Sequence, residues 1–190
     1  MCSGVDNSAM LYGGRWSSIL LAASLLACSP ALNWREARFD AAVPLHLLLP
    51  CKPDRAERAV DMAGHAVALH MLGCDADGAT FAVSYVRLAD ATDAAAVLQG
   101  WRSAVLARVQ AQSVQDDPAW TPQGAAWPGL APQRLHAAGS RPDGEPVALQ
   151  AAWFAVAGPA GVHVFHAVML SPRPRPEVAQ AFFSALTVAP

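Results

Sequence analysis

The side chains from which this 190-residue sequence could build a reactive site are six histidines, four cysteines and fifteen acidic residues. Imidazole is the most versatile of these, since it ligates metals when neutral and moves protons near neutral pH. His65 and His70 form one close pair, and His163 and His166 another. Both separations are odd, and side chains alternate faces along a strand, so neither pair could close on one ion from a single strand. A metal site would need cross-strand partners, for example His70 beside His166; the simpler reading is of partly buried or surface histidines. Asp75-Ala76-Asp77-Gly78 has the spacing that opens a calcium loop, but Ala79 stands where the third ligand belongs and no glutamate closes it, so the stretch reads as a turn. Asp116 and Asp117 are adjacent in a polar stretch, where neighbouring carboxylates are solvated and not set as an acid and base pair. No Gly-x-Ser-x-Gly elbow, phosphate loop or His-Glu-x-x-His motif occurs. The chain therefore reads as non-enzymatic, with no catalytic residues, no metal site and no cofactor.

Trp120 and Trp127 remain as candidate binding residues. They lie in residues 113–132, a stretch rich in Pro, Gly, Gln and Asp that reads as one long loop. Two indoles on such a loop could form an aromatic platform for a glycan, a peptide or a partner's surface. Folded back, they would instead cover an open sheet face and order the loop.

The cysteines report on compartment. Residues 16–27 form an apolar run of signal-peptide length, too short to span a membrane. From Met1 the preceding segment sets Asp6 against Arg15; from Met10 it is Met-Leu-Tyr-Gly-Gly-Arg, short and cationic, which suits an export signal better as the start. Leu25-Leu26-Ala27-Cys28 resembles the lipobox of bacterial lipoproteins, departing from it at Leu26. The resemblance implies a diacylglycerol thioether on Cys28, which becomes the mature N-terminus, and Ser29 after it implies the outer membrane. Ordinary cleavage at Ala27-Cys28-Ser29 is the alternative and would release a soluble protein. Cys2 falls outside the mature chain and Cys28 carries the lipid, so Cys51 and Cys74 are left together in an oxidising compartment and are expected to form a structural disulfide.

Residues 1–27 are thus a signal peptide, 28–33 a short tether and 34–190 a single domain, long enough to bury one core. Twelve arginines stand against the single Lys52, and the formal net charge is −2 with no basic stripe. Nucleic acid and anionic membrane surfaces are accordingly not partners; the membrane would be met through the lipid anchor. Within the domain, alternation and turn residues predict strands at 34–39, 45–49, 58–63, 65–74, 80–88, 147–156 and 162–170, with a tight turn at 74–78. A helical period over 92–112 places Ala94, Val97, Leu98, Trp101, Val105 and Val109 on one side, capped by Asp90 or Thr92. A second helix begins near Pro176 and presents Val178, Ala181, Phe182 and Leu186. The last two long strands are apolar on both faces, so the sheet must be covered on both sides. The fold class is α+β, a mainly antiparallel sheet flanked by two helices with one intradomain disulfide.

Trp34-Arg35-Glu36, Leu49-Pro50-Cys51-Lys52-Pro53, Gly73-Cys74, Phe81-Ala82-Val83-Ser84 and Phe182-Phe183-x-x-Leu186 resemble a group of uncharacterised proteobacterial exported proteins. Their element order is similar to the PsbP-like and Mog-like fold, an α/β/α sandwich. The resemblance implies an accessory or assembly subunit or a binding module. The sequence thus supports an envelope lipoprotein that binds another envelope protein, with a small-ligand or glycan-binding module using the Trp120 and Trp127 loop as the alternative.

Overall fold

Asp77 and Gly78 both take left-handed backbone, with φ of 50° and 72°. Two successive positive φ angles make the two-residue hairpin whose twist matches that of the strands it joins. In the computed structural model, which describes residues 31–40, 43, 45–124, 126–158 and 160–188, this turn links β4 (His65–Ala76) to β5 (Ala79–Leu88), with Ala76 opposite Ala79. Ala63 and Gly64 repeat the device, with φ of 55° and 84°, between β3 (Asp54–Met62) and β4. The signal segment and residues 28–30 of the tether, Cys28 among them, lie outside the described residues.

Two sheets result. The larger has seven strands in the order β3-β4-β5-β9-β8-β7-β6, every neighbour antiparallel, with β6 (Ser113–Asp116), β7 (Gln133–Ser140), β8 (Pro146–Gly158) and β9 (Gly161–Ser171). The smaller pairs β2 (Leu45–Leu49) with β1 (Arg35–Arg38) and β10 (Thr187–Val188). The helices are α1 (Ala94–Arg108) and α2 (Pro176–Ser184). The protein is α+β, with two helices and a mainly antiparallel sheet.

The register sorts the core into two halves. Phe81, Val83, Tyr85, Ala152, Phe154, Phe165, Ala167 and Met169 share one sheet face and pack with Leu45, Leu47 and Leu49 of β2 and with Ala179, Phe182 and Phe183 of α2. Val86, Leu88, Ala151, Trp153, Ala155, Val162 and Val164 share the other and pack with Ala94, Val97 and Leu98 of α1. Both faces of β8 and β9 are therefore covered, as their apolar composition requires. Removing such side chains from water stabilises the fold by about 1.5–3 kcal/mol for each large one.

Several boundaries differ from the sequence reading for physical reasons. Residues 113–132 are not loop throughout: Ser113–Asp116 is an exposed edge strand with Val114 as its one apolar residue, so it carries no alternation. β7 was equally silent, because Gly139 breaks its pattern. A Cβ at Gly139 would lie 2.0 Å from the carbonyl oxygen of Val109, where the chain leaving α1 crosses it. β3 starts at Asp54 instead of residue 58, since the long β4 gives Asp54–Glu57 pairing partners. The first helix is shorter than its period suggests; Asp90 Oδ1 accepts from the Thr92 amide at 2.8 Å and caps a 3₁₀ turn, Ala91–Asp93, that leads into α1. In α2 the buried stripe is Ala179, Phe182 and Phe183, continued by Leu186, while Ala181 is exposed.

Cys51 follows β2 and Cys74 lies in β4, so their disulfide, with Cα atoms 6.0 Å apart, ties the small sheet to the large one. A cross-link over a separation of 23 residues stabilises by about 3–3.5 kcal/mol in the chain-entropy picture. Replacing both cysteines with serine is expected to lower the unfolding free energy by about 3 kcal/mol in urea titrations. A change under about 1 kcal/mol would mean that packing alone holds the small sheet in place.

His166 sits in the α1 half of the core, stacked on Trp153 at 4.9 Å between ring centroids and tilted against Trp101 at 5.1 Å. Burial pushes its pKa down to about 3, so below the unfolded value near 6.5 the unfolded chain takes a proton that the folded chain refuses. Stability must then fall as pH drops from about 6.5 towards 3. Between pH 7 and 5 the wild type is expected to lose about 1–2 kcal/mol more than His166→Phe, which keeps an aromatic ring there and removes the titration. Equal losses in denaturant midpoints at the two pH values would contradict this.

Candidate functional site

The structure disperses most of the residues singled out by type. His70 is paired across strands with Tyr85, whereas His166 is paired with Ser84, the neighbouring position on β5. Neighbouring positions point to opposite faces, so the His70 and His166 pairing considered above does not form. His70 instead stacks on Tyr85 at 4.7 Å and meets Glu57 at 3.3 Å. His163 lies on the same face, edge-on to Tyr85 at 5.5 Å; burial, helped by Arg87 and His70, lowers its pKa, while burial raises that of Tyr85. His65 meets Asp93 at 3.4 Å. Among the described residues, no three His, Cys, Asp or Glu side chains are placed to hold one metal ion.

The acidic residues are taken up by arginines and turns. Asp75 Oδ1 accepts from the Thr80 hydroxyl at 2.5 Å, and Asp77 accepts from the Arg175 guanidinium, closing the β4–β5 turn against the segment before α2. Asp116 and Asp117 part company: the first meets Arg102 of α1 at 2.7 Å, the second Arg134 of β7 at 3.6 Å.

Trp120 and Trp127 are not brought together on one platform. Trp120 packs edge-on to Phe154 and Phe183, 6.0 and 6.2 Å away, on the α2 side. Trp127 packs on the α1 side, and its backbone amide donates to the Ala155 carbonyl at 2.7 Å. Each is half-buried. The loop is therefore pinned at both faces of the sheet.

A site that residue types did not reveal lies where α2 fails to cover the whole sheet. Alternate residues of β6, β7 and β8 point Gln115, Ser113, His136, Ala138, Gln150 and Ala148 to the α2 side, beyond the helix. With Pro172, Pro174, Pro176 and Gln180 they enclose a groove of about 770 Å³. Three other cavities are about 240, 290 and 370 Å³. Of these four, all formed by described residues, the groove is the one in the middle of the range that holds small ligands, about 300–1,000 Å³. Ala138 and Ala148 face each other across the strands and make its floor, since a methyl group leaves depth where larger side chains would fill it. Pro172, Pro174 and Pro176 all line the groove, while Arg175, between the last two, reaches away to Asp77. That strict alternation was the sequence signal for this wall.

Arg134 closes the inner end. It is 8% exposed, and burial lowers its pKa against the opposing pull of Asp117. Its guanidinium lies over the Phe183 ring at 4.6 Å, a cation–π geometry. Nη1 donates to Gln180 Oε1 at 3.5 Å and Nη2 to Gln150 Oε1 at 3.4 Å, while Nε has no partner among the described residues.

Among the described residues no helix is long and apolar enough to cross a membrane. No family model matches the chain, and no curated protein matches it. Among solved structures it is similar to LpqN of Mycobacterium tuberculosis, described as involved in cell envelope biogenesis, at 13% identity and a TM-score of 0.38, over 83% of this chain and 79% of that one.

Proposed function

We propose that this chain is an exported, non-catalytic envelope lipoprotein whose work is binding, and that the groove between α2 and β6–β8 is where it binds. The observation that carries this reading is the groove itself: about 770 Å³, floored by alanines, walled by prolines and edged by a few polar groups that converge on it. That combination of apolar lining and sparse, oriented polar groups is what a small-ligand site needs. The sequence contributes the compartment, through the apolar run that ends at Cys28, and the accessory role, through the absence of any catalytic motif. With Cys28 lipidated, residues 28–33 would reach at most about 20 Å, which keeps the groove near the membrane that supplies its ligand and its envelope partner.

Two measurements test this. Nile red, a neutral apolar dye, is expected to bind wild-type protein at one saturable site, and Ala148→Trp, which stands an indole on the groove floor, should weaken that binding by about tenfold or more. No saturable binding by the wild type, or unchanged binding by Ala148→Trp, removes the groove from consideration. Labelled palmitate is expected in the wild-type protein, recovered with membranes, and not in Cys28→Ala. An unlabelled wild-type protein recovered in the soluble fraction would leave a periplasmic binding protein without an anchor.

A further inference from the structure

We propose that Arg134 is the head-group site of this groove and that the ligand is a single-chain amphipathic carboxylate, its charge at Arg134 and its apolar tail along Ala138 and Ala148. The proposal rests on the groove reading above and deepens it.

Arg134 is more than nine-tenths buried and poorly bonded. A guanidinium offers five N–H donors, yet its two side-chain hydrogen bonds, to Gln180 and Gln150, are 3.5 and 3.4 Å long, beyond the usual 2.7–3.2 Å. Among the described residues its one carboxylate neighbour, Asp117, stands at 3.6 Å, and Nε is unpartnered. Burying a cation in this state is costly unless something completes its bonding. Both weak acceptors are neutral and line the groove, and Gln180 is exposed, so each can turn aside. A carboxylate entering between them would put two oxygens against the planar fork, the geometry that arginine bonds best. Phe183 fixes the plane of that fork from behind.

The rest of the groove suits a tail. Arg134, His136 and Ala138 follow one another on the groove face of β7, so Ala138 lies about 13 Å along the strand from Arg134. Ala148 lies beside Ala138, and Pro172, Pro174 and Pro176 line the same groove, giving a chain apolar surface to lie along. Asp117 decides between anions. It already answers part of the guanidinium charge, so a singly charged, planar head is accommodated, whereas a phosphate monoester brings more negative charge against the same aspartate.

The test is displacement of bound Nile red from the full-length protein by dodecanoate, dodecanol and dodecyl phosphate. Dodecanoate is expected to displace the dye at about tenfold lower concentration than dodecanol, and at lower concentration than dodecyl phosphate. Arg134→Gln should bring dodecanoate and dodecanol to within about twofold of each other. Because Arg134 also packs on Phe183, a second variant leaves it in place: Gln150→Glu sets a resident carboxylate beside it and should remove the preference for dodecanoate while dodecanol still competes. Equal displacement by dodecanoate and dodecanol in a wild type that binds the dye overturns the carboxylate site and leaves the groove standing. Dodecyl phosphate displacing at equal or lower concentration than dodecanoate overturns the choice of anion. Failure of the wild type to bind the dye at all removes the groove, and this proposal with it.

Discussion

Everything in this fold follows from a sheet whose central strands are apolar on both sides. In β5, β8 and β9 almost every residue is buried whichever way it points, with Phe154 and Phe165 stacked on one face and Trp153 on the other. Such a sheet cannot face water, and the chain must find two covers for it. One is a single helix, α1. The other is composite: a three-stranded sheet and α2 together, joined to the large sheet by the Cys51–Cys74 bond. Small sheets have little core of their own and depend on what they are attached to. The disulfide makes that attachment covalent at the point where β2 ends.

The composite cover is also incomplete, and the incompleteness makes the groove. Seven strands are wider than one nine-residue helix and three short strands can shield. At the β6–β8 side the sheet answers by changing composition: alanines, glutamines, a serine and a histidine replace the aromatic residues of the centre. Arg134 stands at the boundary between the two regimes, with Phe183 behind it and the open groove in front. Its partial bonding is a product of that position, since the covered side offers an aromatic ring and the open side only glutamine oxygens at long range.

What the sequence made legible was whatever burial writes as a pattern. β2 and β9 carried alternating or continuous apolar residues, the Asp77-Gly78 turn carried its own conformational requirement, and Pro176 marked the first turn of α2. The disulfide was readable once compartment removed the other two cysteines. β6 was not readable because an edge strand faces water, and β7 because Leu135 and Ala137 are its only buried apolar residues before Gly139 breaks the pattern. Parity along a strand correctly separated His163 from His166, yet register between strands lies outside any single segment, so the companion of His70 proved to be Tyr85 and not His166. Trp120 and Trp127 show the same limit in a loop: seven positions apart in sequence, they end against opposite halves of the core, where each helps to hold residues that have no regular structure of their own. The groove was hidden for a related reason. Apart from Arg134 its residues are small or neutral, and they become a site only when four separate segments meet.

The depth of that site is fixed by where α2 begins, and three local constraints set the point. Three prolines at alternate positions keep residues 172–175 out of the helix, because each fixes its own φ and biases the residue before it away from helical backbone. Pro176 then suits the first helical position, where a missing amide hydrogen costs nothing. Arg175, between them, donates to Asp77 and so ties the segment to the β4–β5 turn at the opposite flank of the sheet. One more helical turn before Pro176 would set that proline inside the helix, where its ring clashes with the preceding turn. The same prolines that deny α2 that extra turn form the wall of the groove it leaves open, so the start of the helix and the shape of the site are one structural decision.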